Sequence, residues 1–131
     1  MRLTASTDDA PPPAGPYSQS TRVGNIVAGA GQVGRRPDGT VVDGVSGQTR
    51  QALENLLASL AASGASEHDI VSVRVFLTDP AYFDEMNAAY ADVLSEPYPS
   101  RTTVYVGLRP GLFVEVDALA VLAERPPEAA R

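Results

Sequence analysis

The side chains best suited to chemistry are an arginine and a glutamate near the carboxyl end of the chain. Successive residues of a β-strand point to opposite faces of a sheet, so in residues 101–107 Arg101 shares a face with Thr103. In residues 113–122, Glu115 lies on the polar face of an otherwise apolar alternating segment. If these two strands pair across the short turn between them, we expect Arg101 and Glu115 to share one polar face.

An arginine and a carboxylate on one face support two different interpretations. They can form a plain salt bridge, which is the commoner outcome for such a pair. They can also form an anion clamp beside a general base. In that case the planar guanidinium grips a carboxylate with two parallel hydrogen bonds and the glutamate accepts a proton from water. The spacing alone leaves both interpretations open.

Few other side chains offer chemistry. The chain has no cysteine, which excludes a disulfide framework, a thiolate metal site and a cysteine nucleophile. The one histidine, His68, lies in a polar turn and cannot by itself build an imidazole metal site. Ser18 has no histidine near it in the motif and so no triad to join. We therefore expect neither a metal nor a cofactor.

Charge and hydropathy exclude further classes of protein. The formal net charge is −6, and the ten basic residues are scattered along the chain, so we expect no nucleic-acid partner. The first 13 residues contain no apolar segment of the kind found in a secretory signal. No stretch approaches the ~18 apolar residues that a membrane-spanning helix needs. We expect a cytoplasmic protein without a membrane segment.

The patterns predict one domain over residues 1–131, with an ordered core over about residues 10–124. The order is β-β-α-β-α-β-β, with a further short strand near residues 2–6. Strands are predicted at residues 18–22, 25–33, 70–78, 101–107 and 113–122, with a hairpin turn at Gly24-Asn25 and a loop over residues 34–45.

The helices have recognisable ends. Leucines at helical spacing predict a helix over residues 47–63, with Ser46 as a candidate N-cap and Gly64 as the terminating glycine. Asp79 followed by Pro80 predicts the start of a second helix, whose inward stripe is Phe83, Met86 and Tyr90. Two helices on one face of a mixed sheet form an α+β architecture, and the other sheet face then needs cover, which oligomerisation usually provides.

Six segments, taken in order, resemble the RidA (YjgF) family of reactive-intermediate deaminases. The resemblance runs from Ala10 to about Ala123 and is carried by Gly15-Pro16-Tyr17-Ser18-Gln19, Gly31-Gln32, residues 48–56, residues 71–79 with Asn87 and Tyr90, Pro99-Ser100-Arg101-Thr102 and residues 114–118. It implies a chorismate-mutase-like fold and a homotrimer with pockets between subunits. It also implies hydrolytic deamination of 2-imino or 2-aminoacrylate acids to 2-keto acids and ammonia.

The resemblance also implies roles for single residues. Arg101 would grip the carboxylate of the substrate, and Glu115 would position or activate the attacking water. Tyr17 and Asn87 would line the pocket and orient substrate or water. Gly31 would let the main chain approach the ligand, because it has no Cβ.

The chain departs from the family pattern around the substrate. Ala30 stands where many deaminating members have serine, Thr103 replaces a frequent cysteine, and Tyr105 replaces a frequent acidic residue. Ala30 and Thr103 are nevertheless expected among the substrate-binding residues. These changes leave two alternatives open: a non-catalytic protein that binds small carboxylates such as 2-keto acids, and a specialised member acting on a larger enamine or imine.

Overall fold

A computed structural model describes residues 1–123 of the chain, which form an α+β fold. The predicted end of the ordered core, at about residue 124, lies outside the described residues. Six strands and two α-helices follow the predicted order within that range. They are β1 (Leu3–Ala5), β2 (Ser20–Val23), β3 (Ile26–Val33), α1 (Val45–Ala62), β4 (Ile70–Leu77), α2 (Phe83–Val93), β5 (Ser100–Tyr105) and β6 (Val114–Val121).

The six strands form one mixed sheet in the order β1-β2-β3-β6-β4-β5. β4 and β5 run parallel, whereas the other neighbouring strands are antiparallel. The predicted pairing of the last two strands is therefore wrong, because β4 lies between them. The connection from β5 to β6 straddles the end of β4: the Val106 N–H donates to Leu77 O at 2.8 Å, and the Thr78 N–H donates to Phe113 O at 3.1 Å.

This strand order also contradicts the expectation that Arg101 and Glu115 share one polar face. Residues paired in neighbouring strands point to the same side of a sheet. Arg101 pairs with Val73 of β4, and Glu115 pairs with Phe76 of β4. Val73 and Phe76 are three residues apart and so point to opposite faces. Within one chain, Arg101 lies on the face covered by the helices and Glu115 lies on the other.

The core lies between the sheet and the helices, both of which cover the same face, as predicted. Leu53, Leu56 and Leu60 of α1 are fully buried, and each contributes about 1.5–3 kcal/mol through removal from water. Gly29 of β3 lets this helix pack closely on the sheet, because a Cβ at that position would lie 2.8 Å from a methyl group of Leu56. Met86 is the fully buried residue of the α2 stripe.

The helix ends confirm one prediction and correct another. Gly64 has a φ of 90°, as expected of the glycine that follows a helix. Ser46 is not the N-cap of α1, because the helix begins at Val45 after Gly44, whose φ is 77°. The Ser46 N–H and hydroxyl instead donate to the Glu85 carboxylate of α2, at 3.1 and 3.0 Å.

Asp79 caps the approach to the second helix, as predicted. Its Oδ1 accepts a hydrogen bond from the Ala81 N–H at 2.8 Å. The capped element is a short 3-10 turn, Pro80–Tyr82, which leads directly into α2. This turn determines where α2 starts.

The face of the sheet without helices, called the open face below, carries several apolar side chains that are more than one third exposed. They are Val23, Ile26, Val104, Leu119 and Val121. An apolar face of this kind is typical of a surface that another molecule covers. The homotrimer remains a prediction. In residues 1–123, neither helix has the length and apolarity required to cross a membrane.

The contact between Gly34 and α1 generates a stability prediction. A Cβ at Gly34 would lie 2.6 Å from the Cα of Gln48, a main-chain atom that cannot move alone. We expect Gly34→Ala to cost about 1–3 kcal/mol by forcing the helix away from β3. Thermal unfolding measures this cost. Gly107→Ala is the control, since a Cβ at Gly107 meets nothing within 4 Å; equal melting temperatures for the two variants would contradict the prediction.

Candidate functional site

Two cavities contain most of the site residues selected from the sequence. The first, called the carboxylate half-site, has a volume of about 250 Å³ and contains Glu115, Tyr17 and Gly31 in its lining. The second, called the arginine half-site, has a volume of about 420 Å³ and is lined by Arg101, Asn87, Tyr90, Ala91, Tyr98 and Pro99. Each half-site therefore holds one part of the predicted chemistry.

Glu115 is the acidic residue that lines the carboxylate half-site. β6 presents it, half-buried, beside β3, which is its antiparallel neighbour. Burial raises the pKa of Glu115, and the negative charge of Asp117, two residues along the same face, raises it further. A carboxylate with a raised pKa is a better proton acceptor than an ordinary surface glutamate, provided that the pH keeps it ionised.

Gly31 has a specific reason to be glycine. A Cβ built on it would collide with the carboxylate of Glu115. The sequence led us to expect that this glycine lets the main chain approach a ligand. The structure supplies a nearer cause, because the missing side chain leaves room for the Glu115 carboxylate over β3.

Tyr17 lines the same half-site from the loop that precedes β2. Its side chain is 50% exposed, and its hydroxyl oxygen accepts a hydrogen bond from the Ala14 N–H at 3.0 Å. That bond fixes the hydroxyl against the proline-rich N-terminal segment, of which Pro11 and Pro12 also line the cavity. The hydroxyl hydrogen stays available to a ligand.

Arg101 is held between aromatic rings in the arginine half-site. Its guanidinium carbon lies 4.8 Å from the ring centroid of Tyr90 and 5.8 Å from that of Phe83, both on α2. It forms no ion pair within residues 1–123. Stacking holds the plane of a guanidinium while its N–H groups remain free to donate at the edge. This geometry suits a planar anion such as a carboxylate.

Two buried polar atoms of the same half-site lack partners among the described residues. They are Oδ1 of Asn87 and the hydroxyl of Tyr90. Burial raises the pKa of Tyr90, and the positive charge of Arg101 opposes part of that rise. A buried polar atom without a hydrogen bond costs about 1–3 kcal/mol. Both atoms are therefore positioned to bind water or a polar ligand beside Arg101.

The structure brings together some of the predicted residues and separates others. Asn87 joins Arg101, whereas Tyr17 and Gly31 join Glu115. Ala30 and Thr103 line neither half-site. Their part in binding a substrate stays a prediction.

Sequence reasoning missed several lining residues. Tyr90 was assigned to the inward stripe of α2 and to the family resemblance but not to the site, although its spacing from Asn87, three residues apart, puts both on one side of that helix. Arg35 and Arg109 line the carboxylate half-site and had no local pattern to reveal them. In residues 1–123 no three His, Cys, Asp or Glu side chains are grouped so that they could hold a metal ion.

Fold and site together define a class: a small α+β chain with helices on one face of a mixed sheet, an arginine pocket on that face and a carboxylate pocket on the other. The Endoribonuclease L-PSP family model matches residues 7–122. The chain therefore belongs to this family, which is the RidA (YjgF) family that its motifs resemble.

Named relatives cover almost the whole chain. A RutC family protein of Pyrococcus horikoshii is 41% identical over 123 residues, or 92% of this chain and 98% of the relative. A protein of Salmonella typhimurium named 2-iminobutanoate/2-iminopropanoate deaminase is 37% identical over 126 residues, with the same coverages. The crystal structure of Escherichia coli TdcF with bound serine superposes with a TM-score of 0.87 at 34% identity, covering 92% of this chain and 99% of the other.

The contact between Gly31 and Glu115 generates a titration prediction. Gly31→Ala should push the flexible carboxylate towards solvent and so lower the pKa of Glu115 towards its ordinary value. In the wild type the raised pKa means that Glu115 takes up its proton at a higher pH as the solution is acidified. NMR titration of the side-chain carboxyl carbon measures both values. An unchanged pKa in a folded Gly31→Ala variant would refute the assignment, and Gly107→Ala serves as the control.

Proposed function

We propose that this protein hydrolyses reactive 2-imino acids and 2-aminoacrylate to 2-keto acids and ammonia. The catalytic cleft would form where the arginine half-site of one subunit meets the carboxylate half-site of its neighbour in a homotrimer. The proposal rests on the separation of Arg101 and Glu115, two groups whose chemistry requires them to act together. An anion-binding arginine and a proton-accepting glutamate lie on opposite faces of one sheet, where they cannot act on the same small molecule.

Three further observations support a cleft between subunits. The open face exposes apolar side chains that a neighbouring copy would bury. Each half-site is an open surface pocket with unsatisfied polar groups, among them Asn87 Oδ1. The deaminase of Salmonella typhimurium and the serine-bound TdcF both align over more than nine tenths of this chain. Serine carries the carboxylate and the amino carbon that the substrate class shares.

In the proposed reaction, Arg101 binds the substrate carboxylate through paired hydrogen bonds and so places the imine carbon opposite Glu115 of the neighbour. Glu115 accepts a proton from water as the water oxygen bonds to that carbon. The C=N π electrons move to nitrogen, which takes up the proton from Glu115. 2-Aminoacrylate reacts as its imine tautomer, which forms when its C=C electrons take up a proton at the terminal carbon and nitrogen releases one. The new hydroxyl group then passes its proton through Glu115 to nitrogen, the C–N bond breaks, and ammonia leaves with the electron pair as the ketone forms.

Tyr17 and Asn87 orient the reactants. The Tyr17 hydroxyl, already anchored by the Ala14 N–H, can donate to the water or to the developing hydroxyl group. Asn87 Oδ1, beside Arg101, can accept from the imine N–H. Both contacts would be made by groups already held in place, which lowers the entropic cost of reaching the transition state.

An imine-trapping assay tests the proposed activity. An amino-acid oxidase generates 2-iminobutanoate in the presence of semicarbazide, and hydrolysis by the protein suppresses the semicarbazone signal. We expect Arg101→Ala to lower kcat/KM about 100-fold, since it removes a charge-assisted pair of hydrogen bonds. Arg50→Ala is the matched control, because Arg50 forms only a surface ion pair with Asp92. A wild type that binds 2-keto acids without turnover would instead make the protein a small-carboxylate binder.

Subunit mixing tests the location of the cleft. Arg101→Ala and Glu115→Gln should each be inactive alone, because each spoils all the clefts of its own trimer. After unfolding and joint refolding at equal amounts, each mixed trimer contains one cleft with both groups intact. We expect recovery of about one quarter of wild-type activity, as random assembly of cyclic trimers requires. No recovery from mixed trimers of confirmed mass would place the two groups outside a shared cleft.

A further inference from the structure

The carboxylate half-site holds more positive charge than the proposed reaction uses. Arg35 and Arg109 both line it, together with Glu115. Neither arginine forms an ion pair in the part of the chain that the structure describes. Two arginines and one glutamate are the charged residues of its lining, which gives a cavity of about 250 Å³ a formal net charge of +1. In the assembled cleft, Arg101 of the arginine half-site would add a further positive charge.

Arg35 is held in place through its main chain. Its N–H donates to Val33 O at 2.7 Å, and its carbonyl oxygen accepts from the Asn55 side-chain amide, also at 2.7 Å. It also forms an isolated β-bridge with Val41. The side chain is half-buried, and its Nε is buried without a hydrogen-bond partner among residues 1–123. A buried guanidinium N–H without an acceptor is costly, and an anionic ligand that bonded to it would remove that cost.

Arg109 also lines the cavity and lies in the connection between β5 and β6. Its carbonyl oxygen accepts from the Leu112 N–H at 3.1 Å, which closes the turn that contains Gly111. Leu108 and Leu112, on either side of Arg109, supply apolar wall to the cavity. Apolar walls lower the effective dielectric and so strengthen the attraction of both arginines for an anion.

We infer that the cleft selects 2-imino acids that carry a second carboxylate on the side chain. This inference rests on the proposed function. Arg101 takes the carboxylate next to the imine carbon, and Arg35 with Arg109 takes the one at the far end of the substrate. A second carboxylate neutralises the excess charge that a monocarboxylate would leave. Guanidinium groups are suited to this task because they bind carboxylates with two parallel hydrogen bonds.

Binding of the stable keto-acid products tests the inference without turnover. Calorimetric titration of the wild type compares 2-oxobutanoate with oxaloacetate and 2-oxoglutarate. We expect at least one dicarboxylate to bind about tenfold tighter than 2-oxobutanoate, and Arg35→Gln or Arg109→Gln to reduce that ratio to about one. Arg36→Gln is the matched control, since it removes the same charge from an exposed neighbour whose guanidinium bonds only Thr40 Oγ1, at 3.1 Å. Its ratio should equal that of the wild type.

The outcomes separate the inference from the proposed function. If neither dicarboxylate binds tighter than 2-oxobutanoate to the wild type, the inference fails, whatever the imine-trapping assay reports. The inference also fails if Arg35→Gln or Arg109→Gln changes the mass of the trimer but leaves the binding ratio unchanged. That result would show that these arginines serve subunit contacts. A tenfold ratio in a protein without imine turnover would uphold the dicarboxylate site and refute the proposed reaction.

Discussion

The position of β4 between β5 and β6 controls what this chain can do. One interposed strand and the alternation of side chains put Arg101 and Glu115 on opposite faces of the sheet. The main-chain bonds from Val106 to Leu77 and from Thr78 to Phe113 hold the connecting segment across the end of β4. The acid binding and the proton transfer that we propose therefore fall on different surfaces. In that proposal a single subunit offers two incomplete pockets, and the reaction takes place where two subunits meet.

A buried amide gives the carboxylate half-site its shape. Nε2 of Gln48 donates to Val42 O at 3.0 Å and to Gly111 O at 2.8 Å, and its Oε1 accepts from the Phe113 N–H at 2.8 Å. One side chain of α1 therefore anchors both the loop after β3 and the connection before β6. These are the two segments that carry Arg35 and Arg109. Breaking one of these buried hydrogen bonds would cost about 1–3 kcal/mol. Both loops are therefore held in place before a ligand binds.

The sequence predicted the elements well because their signals are local. Leucine spacing located α1, the Asp79-Pro80 pair located the short turn that leads into α2, and alternation located the strands. Strand pairing is not local, and a short turn between two alternating segments wrongly implied a hairpin. Ser46 failed as a cap because Glu85, from another helix, binds its N–H and hydroxyl. Arg35 and Arg109 are 74 positions apart, and only the folded sheet reveals that they line one cavity.

Gly31 and Glu115 are physically one unit, although they lie on different strands. A side chain at position 31 cannot coexist with the glutamate in its present place, and the glycine has no comparable reason to persist once the glutamate is gone. The order of mutational steps is therefore constrained during divergence. A descendant lineage that loses the glutamate can accept a side chain at position 31, whereas a lineage that gains the side chain first must displace the glutamate. Among homologues, we therefore expect a residue larger than glycine at position 31 chiefly where position 115 is no longer glutamate.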